Sequence, residues 1–226
     1  MRILNLVSLL EFEKPELFER RKFDEILTIS PLLNKTPQIR CEIGSLSYVL
    51  AMICLYLELG DDLDALDGGY LSGESNVGDE EIEREFYKAH FDAILVDKNL
   101  IEFDENRRNL EISLARISAF FDAKIIDFES ENELKFNDGK FDEFKELQSF
   151  DGAVIFKHSC DLEFKGGRYF TAVTKLKDGQ NCEIKGKTLI EKAKFVLDEN
   201  IKGTVAFLGL ESFSGYKFEL AKVKGI

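Results

Sequence analysis

The chain has 226 residues, a formal net charge of −13, 44% hydrophobic residues and 32% charged residues. That balance builds a real core and excludes a disordered or low-complexity chain, and the length suits one large domain or two small ones. An acidic surface repels phosphate backbones and anionic lipid, so nucleic acid is not an expected partner.

Residues 3–10 form an apolar run (Ile3, Leu4, Leu6, Val7, Leu9, Leu10) followed at once by Glu11, Glu13 and Glu16. A secretory leader needs a basic start and a small-residue cleavage site, whereas Arg2 stands alone. The run reads as a buried strand of a cytoplasmic protein. No stretch approaches the roughly 18 consecutive apolar residues of a membrane span, so direct membrane insertion is not expected. Residues 15–22 read as a charged helix with Pro15 in its first turn. A second apolar run covers 26–29, and Pro31 and Pro37 mark a loop.

Residues 43–57 are apolar on nearly every face, the pattern of a helix buried on most sides, with Ser45 as the expected cap. Residues 60–79, rich in Gly, Asp and Ser, read as a loop. A helix is predicted from about 79 to 90, with Ile82, Phe86 and Ala89 on one face and acids in the first turn. Residues 91–97 read as a buried strand, 107–121 as a helix through Leu110, Leu114, Ile117 and Phe121, and 123–128 as another strand. This alternation predicts an α/β fold with a Rossmann-like parallel sheet.

Beyond it, residues 129–148 are acidic and polar, with Asn137-Asp138-Gly139 as a turn. Short strand-like runs follow at 153–157, 168–174, 182–185, 204–208 and 216–223, while 189–196 fits a helix or a strand. The expected division is a Rossmann-like α/β region over 1–148 and a smaller, mainly-β region over 149–226.

The chemistry-bearing residues are sparse. Cys41, Cys54, Cys160 and Cys182 show none of the C-x-x-C pairing of zinc or iron–sulfur sites. His158 and Cys160, two apart, would share one face of a strand but lack a visible third partner. Gly73 to Gly78 has the glycine spacing of a phosphate loop, yet Asp79 and Glu80 stand where lysine and a hydroxyl belong. Neither a G-x-S-x-G elbow nor an H-E-x-x-H pair occurs. No catalytic, cofactor-binding or metal residue is assigned, and no cofactor is expected.

Two segments carry a family resemblance. One is Cys41-Glu42-Ile43-Gly44-Ser45-Leu46-Ser47-Tyr48-Val49-Leu50-Ala51-Met52; the other is Gly69-Tyr70-Leu71-Ser72-Gly73-Glu74-Ser75-Asn76-Val77-Gly78-Asp79-Glu80-Glu81. Together with the following strand, helix and strand, they resemble the C-terminal, molybdopterin-oxidoreductase-like region of the G subunit of NADH–quinone oxidoreductase (complex I) of epsilonproteobacteria. The clustered cysteines of that family's iron–sulfur region are absent from this chain. The resemblance therefore implies a non-catalytic scaffold subunit, or remnant, of the peripheral arm. Its partners would be other complex I subunits at the cytoplasmic face of the inner membrane. Gly69, Tyr70, Leu71, Asn76 and Gly78 are then the candidate interface loop. The alternative, suggested by the βαβ pattern and the 68–79 loop, is a free-standing nucleotide- or pterin-binding protein or enzyme with its ligand at the carboxyl ends of the strands.

Overall fold

A computed structural model describes residues 1–16 and 25–226. The chain divides into two compact units, Met1–Gln148 and Ser149–Ile226.

The first unit is built on a six-stranded sheet. In chain order the strands are β1 (Ile3–Asn5), β2 (Ile26–Ser30), β3 (Gln38–Arg40), β4 (Ala93–Val96), β5 (Lys124–Asp127) and β6 (Glu133–Leu134). Their order across the sheet is β3-β2-β1-β4-β5-β6; all neighbours run parallel except β5 and β6. This is the doubly wound, Rossmann-like arrangement. Strands β1, β2 and β4 are buried at every residue, as a parallel sheet covered on both faces requires. The apolar run at 3–10 is a strand only as far as Asn5; the chain then turns and starts the short helix α1 (Leu10–Glu13). Most of the helix expected over 15–22 lies outside the described residues.

The central helix α2 (Leu46–Tyr56) is buried continuously from Ser47 to Cys54. Ser45 precedes it, but its hydroxyl donates to Glu42 O at 2.9 Å rather than capping the helix. The segment expected to be a loop over 60–79 contains a 3-10 turn (Leu63–Ala65) and a true helix, α3 (Gly68–Ser75). Asp67 caps α3 by accepting from Tyr70 N–H at 3.1 Å. Helix α4 (Asp79–Phe86) stops four residues before His90. Helix α5 (Lys98–Glu102) follows β4, and α6 (Arg107–Phe121) has the bounds its periodicity indicates.

After β6 the chain crosses the unit as an extended strap without regular structure. Phe141, Phe144 and Leu147 turn into the core at every third residue. Helix α6 and the residue before it hold the strap's backbone in two matched pairs. Asn109 exchanges bonds with Asp142 N–H (2.8 Å) and C=O (2.9 Å), and Asn106 with Lys145 N–H (2.7 Å) and C=O (3.3 Å). These side chains satisfy backbone groups that a ladder would otherwise pair.

Asp104, before α6, gives a pH prediction. Burial pushes its carboxyl from 3.8 up to about 6, against the lowering effect of Asn106 N–H, which donates to its Oδ1 at 2.7 Å. The folded-state value lies above the unfolded one, so folding favours the protonated acid. This group is therefore least costly below pH 4, lowers stability as pH rises towards 6, and keeps it lowered above. Asp104→Asn retains the acceptor oxygen and removes the charge. It is expected to raise the unfolding free energy at pH 7 by about 1–3 kcal/mol and to flatten its change between pH 4 and 6, read by urea titrations across that range.

The second unit is mainly β, with strands β7 (Val154–His158), β8 (Phe164–Gly166), β9 (Asn181–Lys185), β10 (Ile190–Leu197), β11 (Val205–Gly209), β12 (Phe218–Leu220) and β13 (Lys222–Gly225). The order is β12-β7-β11-β8-β10-β9-β13, with parallel pairs β7–β11 and β8–β10 and antiparallel pairs elsewhere. Residues 189–196, open between helix and strand, lie largely in β10. Residues 168–174 are not a strand but a helix, α7 (Arg168–Thr174). Its β-branched residues are accommodated because Thr171 and Thr174 hydroxyls donate to Arg168 O (2.7 Å) and Phe170 O (2.8 Å). Phe170 packs with Phe164 and Phe195 in the core. At Gly167 an added Cβ would lie 1.9 Å from Ile201 O, so only glycine lets the chain enter this helix.

Candidate functional site

Strands run outward in opposite directions from β1 and β4, whose carboxyl ends therefore form the switch point where doubly wound sheets hold ligands. Here residues that follow β1 and β2 pack at that end. Beyond β1 the backbone turns on the side chain of Asn5, whose Oδ1 accepts from Val7 N–H (3.1 Å) and whose Nδ2 donates to Val7 O (3.0 Å). Val7 and Leu10 are buried in one cluster with Ile3, Leu95 and Phe128. Leu9 adopts a left-handed φ of 55°, the region that dinucleotide turns reserve for glycine, and its side chain is buried.

The loop at 31–37 closes over the same end. Leu9 N–H donates to Asn34 Oδ1 at 3.1 Å, Lys35 N–H to Glu11 Oε1 at 3.1 Å, and the Thr28 and Thr36 hydroxyls pair at 2.7 Å. Helix α1 is four residues long with Glu11 and Glu13 in its first turn, which opposes any phosphate.

The polar side of the switch point lies at the ends of β4 and β5. Asp97 caps α5 through Asn99 N–H at 2.8 Å. Asp127, also buried, accepts from Ser130 N–H at 3.2 Å and lies 3.5 Å from Lys98 Nζ. Burial acts to raise the Asp127 carboxyl, but Ser130 and Lys98 outweigh it and hold it below the usual range. Its Oδ1 is buried without a hydrogen-bond partner.

The five candidate interface residues do not form one loop. Gly69, Tyr70 and Leu71 lie in α3, where Leu71 is core and Tyr70 is partly exposed beside Tyr48. Asn76 ends that helix in the left-handed conformation, and Gly78 precedes α4. Gly73, half of the apparent phosphate-loop spacing, lies within α3, so no phosphate cradle exists there. The backbone N–H of Gly78 is already directed at Glu81 Oε2, 3.4 Å away.

In the second unit His158 ends β7 and Cys160 lies in the turn beyond, so the two do not share a strand face. Cys160 N–H instead donates to His158 Nδ1 at 3.3 Å. Burial pushes the imidazole below its ordinary value against the pull of Asp161, leaving it neutral near pH 7. Burial also pushes the Cys41 and Cys54 thiols up to about 12, which makes them core hydrophobes rather than nucleophiles. Among the described residues no group of three or more His, Cys, Asp or Glu is placed to hold a metal ion.

Sequence reasoning missed a buried ionic cluster. Lys157 Nζ lies 3.0 Å from Glu219 Oε2 and donates to Thr188 Oγ1 (3.1 Å) and Ser214 O (2.9 Å). Lys157 follows the apolar run Val154–Phe156 and precedes His158 within a strand, and nothing in its local pattern announces burial.

No protein-family model matches the chain, and no curated protein matches it in sequence. No helix among the described residues is long and apolar enough to cross a membrane.

Proposed function

We propose that the chain is a non-catalytic structural subunit of a complex I-like NADH–quinone oxidoreductase peripheral arm. The observation that carries this reading is the apolar packing at the switch point. The place where a Rossmann-like sheet holds its ligand is packed with Val7, Leu9 and Leu10 and closed by the 31–37 loop. A sheet so closed serves as a rigid body for assembly rather than as a nucleotide site. The resemblance of residues 40–128 to the G-subunit region supplies the identity of the assembly.

The tagged protein, extracted from its native cells in mild detergent, is expected to bring down complex I subunits identifiable by mass spectrometry. Recovery of the protein alone would overturn the reading. In parallel, thermal denaturation with NADH, FMN or a pterin is expected to show no shift. A rise of several degrees with any of them would favour the small-molecule alternative.

A further inference from the structure

None of residues 135–148 lies in a helix or strand. The strap's inward-facing positions recur every third residue: Asp138 on Arg116, then Phe141, Phe144 and Leu147 against the core. Among the described residues no backbone bond joins two strap residues. A period of three without internal hydrogen bonds is that of a polyproline II segment.

The strap's backbone is held instead by side chains that precede it in the chain. Arg116 donates to Gly139 O (2.6 Å), Asp62 accepts from Phe141 N–H (2.8 Å) and Glu74 accepts from Leu147 N–H (3.3 Å). Asn109 and Asn106 hold both backbone groups of Asp142 and Lys145, and the Tyr48 hydroxyl also donates to Lys145 O. Both asparagines are buried. A buried amide is costly under an apolar cover and suits an extended backbone. Side-chain contacts are few: Arg116 meets Asp138 and lies over the Phe141 ring, and Tyr48 meets the Phe144 ring at 5.0 Å. Asp142, Glu143, Lys145 and Glu146 are exposed. Main-chain bonds for affinity and periodic side-chain pockets for selectivity are the two parts of extended-peptide recognition.

The strap is also separable. The six-stranded sheet, α2, α3 and α6 all precede it, so the groove's walls are complete without it. It ends at Gln148, where the first unit ends, and the core cluster around Phe164, Phe170 and Phe195 in the second unit draws only on residues between 153 and 223. Lys135 and Asn137, between β6 and the strap, are exposed. A hinge there would carry away strap and second unit together without breaking a strand pair of either sheet.

We propose that α2, α3 and α6 form a receptor groove for an extended segment of the pattern Asp-x-x-Phe-x-x-Phe-x-x-Leu, and that its partner in trans is the strap of a second copy, two chains exchanging straps in a closed dimer. The strap's own fit argues for this occupant, because every bond in the groove is reproduced when the same segment arrives from another chain. The dimer closes because each copy both gives and receives a strap. The tether sets the scale: a segment on a short flexible linker competes at an effective concentration on the order of millimolar, so exchange grows as protein concentration approaches that range. Met1–Gln148 carries 17 Lys and Arg against 33 Asp and Glu. Two first units therefore repel each other, and added salt favours the exchanged dimer, the opposite of a dimer held by surface ion pairs. The inference goes beyond the scaffold reading and does not rest on it.

The test uses two full-length variants, both with Cys160→Ser to remove the exposed thiol: one carries Arg108→Cys, the other Asp142→Cys. These two side chains pair at 3.5 Å between α6 and the strap and are largely exposed, so neither change touches the bonds that hold the strap's backbone. The variants are incubated together at up to about a millimolar in urea below the unfolding transition, returned to buffer and treated with a short thiol cross-linker. Mass spectrometry reads which cysteines are joined. A chain carrying both substitutions is expected to cross-link within itself, which reports the strap in its own groove. The mixture is expected to give 108–142 links between chains about tenfold above 108–108 and 142–142 links, rising with protein concentration and salt. These links are expected to be lost when the Asp142→Cys chain also carries Phe144→Ala. Four results would overturn the proposal: 108–142 links no more frequent than like-with-like links, links unaffected by Phe144→Ala, a dimer in light scattering that lacks the 108–142 link, or no link within the chain that carries both cysteines.

Discussion

Replacing Arg116 with alanine is expected to lower the stability of the first unit by about 3–5 kcal/mol, the range for removing one partner of a buried charge network. Arg116 is 8% exposed. Its guanidinium donates to Asp62 Oδ1 and Asp138 Oδ1, both at 2.7 Å, and to the carbonyls of Leu59 (3.0 Å) and Gly139 (2.6 Å). It also stacks 4.6 Å above the Phe141 ring. It therefore joins the end of α2's following turn, α6 and the strap in one fork. Asp62 completes the join by accepting from Phe141 N–H at 2.8 Å. Burial acts to raise the Asp62 carboxyl, but Phe141 N–H and Arg116 outweigh it and hold it below the usual range.

Lysine at 116 cannot reproduce a planar, multi-donor fork, so Arg116→Lys is expected to recover little. Asp138 is largely exposed, and Asp138→Ala is expected to cost no more than about 1 kcal/mol. Urea denaturation of the three variants, with hydrogen exchange at residues 136–147, checks this. A mild Arg116→Ala effect, comparable to Asp138→Ala, would mean that the strap is held by its phenylalanines alone.

How far the sequence reveals this architecture depends on the range of each interaction. Helix α6 is legible because Leu110, Leu114, Ile117 and Phe121 repeat locally with helical period, and β4 and β5 because each is a compact apolar run. Helix α3 is not legible: Gly68, Gly69 and Gly73 signal a loop, and the helix forms because Asp67 caps it and Leu71 reaches the core. Helix α7 is illegible for the reverse reason, since Thr171, Val173 and Thr174 favour a strand until Gly167 and Phe170 are placed against their neighbours. The strap's spacing of Phe141, Phe144 and Leu147 is visible, but a period of three matches neither helix nor strand. Its partners, Asn106 and Asn109, are more than thirty residues away. A lysine face on the second unit has the same character. Lysines at alternate positions are evident at 192 and 194 and at 222 and 224, but only the register of β10, β9 and β13 places them on one surface.

Lys157 poses the sharper energetic question, because its charge is buried without a visible functional use. Lys157→Met leaves Glu219 with its Thr188 hydrogen bonds but no cation, and is expected to cost about 3–5 kcal/mol. Lys157→Met/Glu219→Gln removes both charges while keeping an amide oxygen for Thr188 N–H. Apolar or neutral replacement of a whole buried pair is often tolerated, so the double variant is expected to recover most of the loss. The pH dependence separates charge from packing. Burial acts to raise the Glu219 carboxyl, but Thr188 and Lys157 outweigh it and hold it below its ordinary value of 4.5. Its contribution is thus present above pH 4.5 and is lost as pH falls through the lower folded-state value. The deficit of Lys157→Met relative to the native protein is therefore expected to shrink on acidification, as Glu219 protonates and the unpaired charge disappears. A deficit that stays constant from pH 7 to pH 3 would assign the cost to the lost packing of the lysine stem against its neighbours, and not to the ion pair.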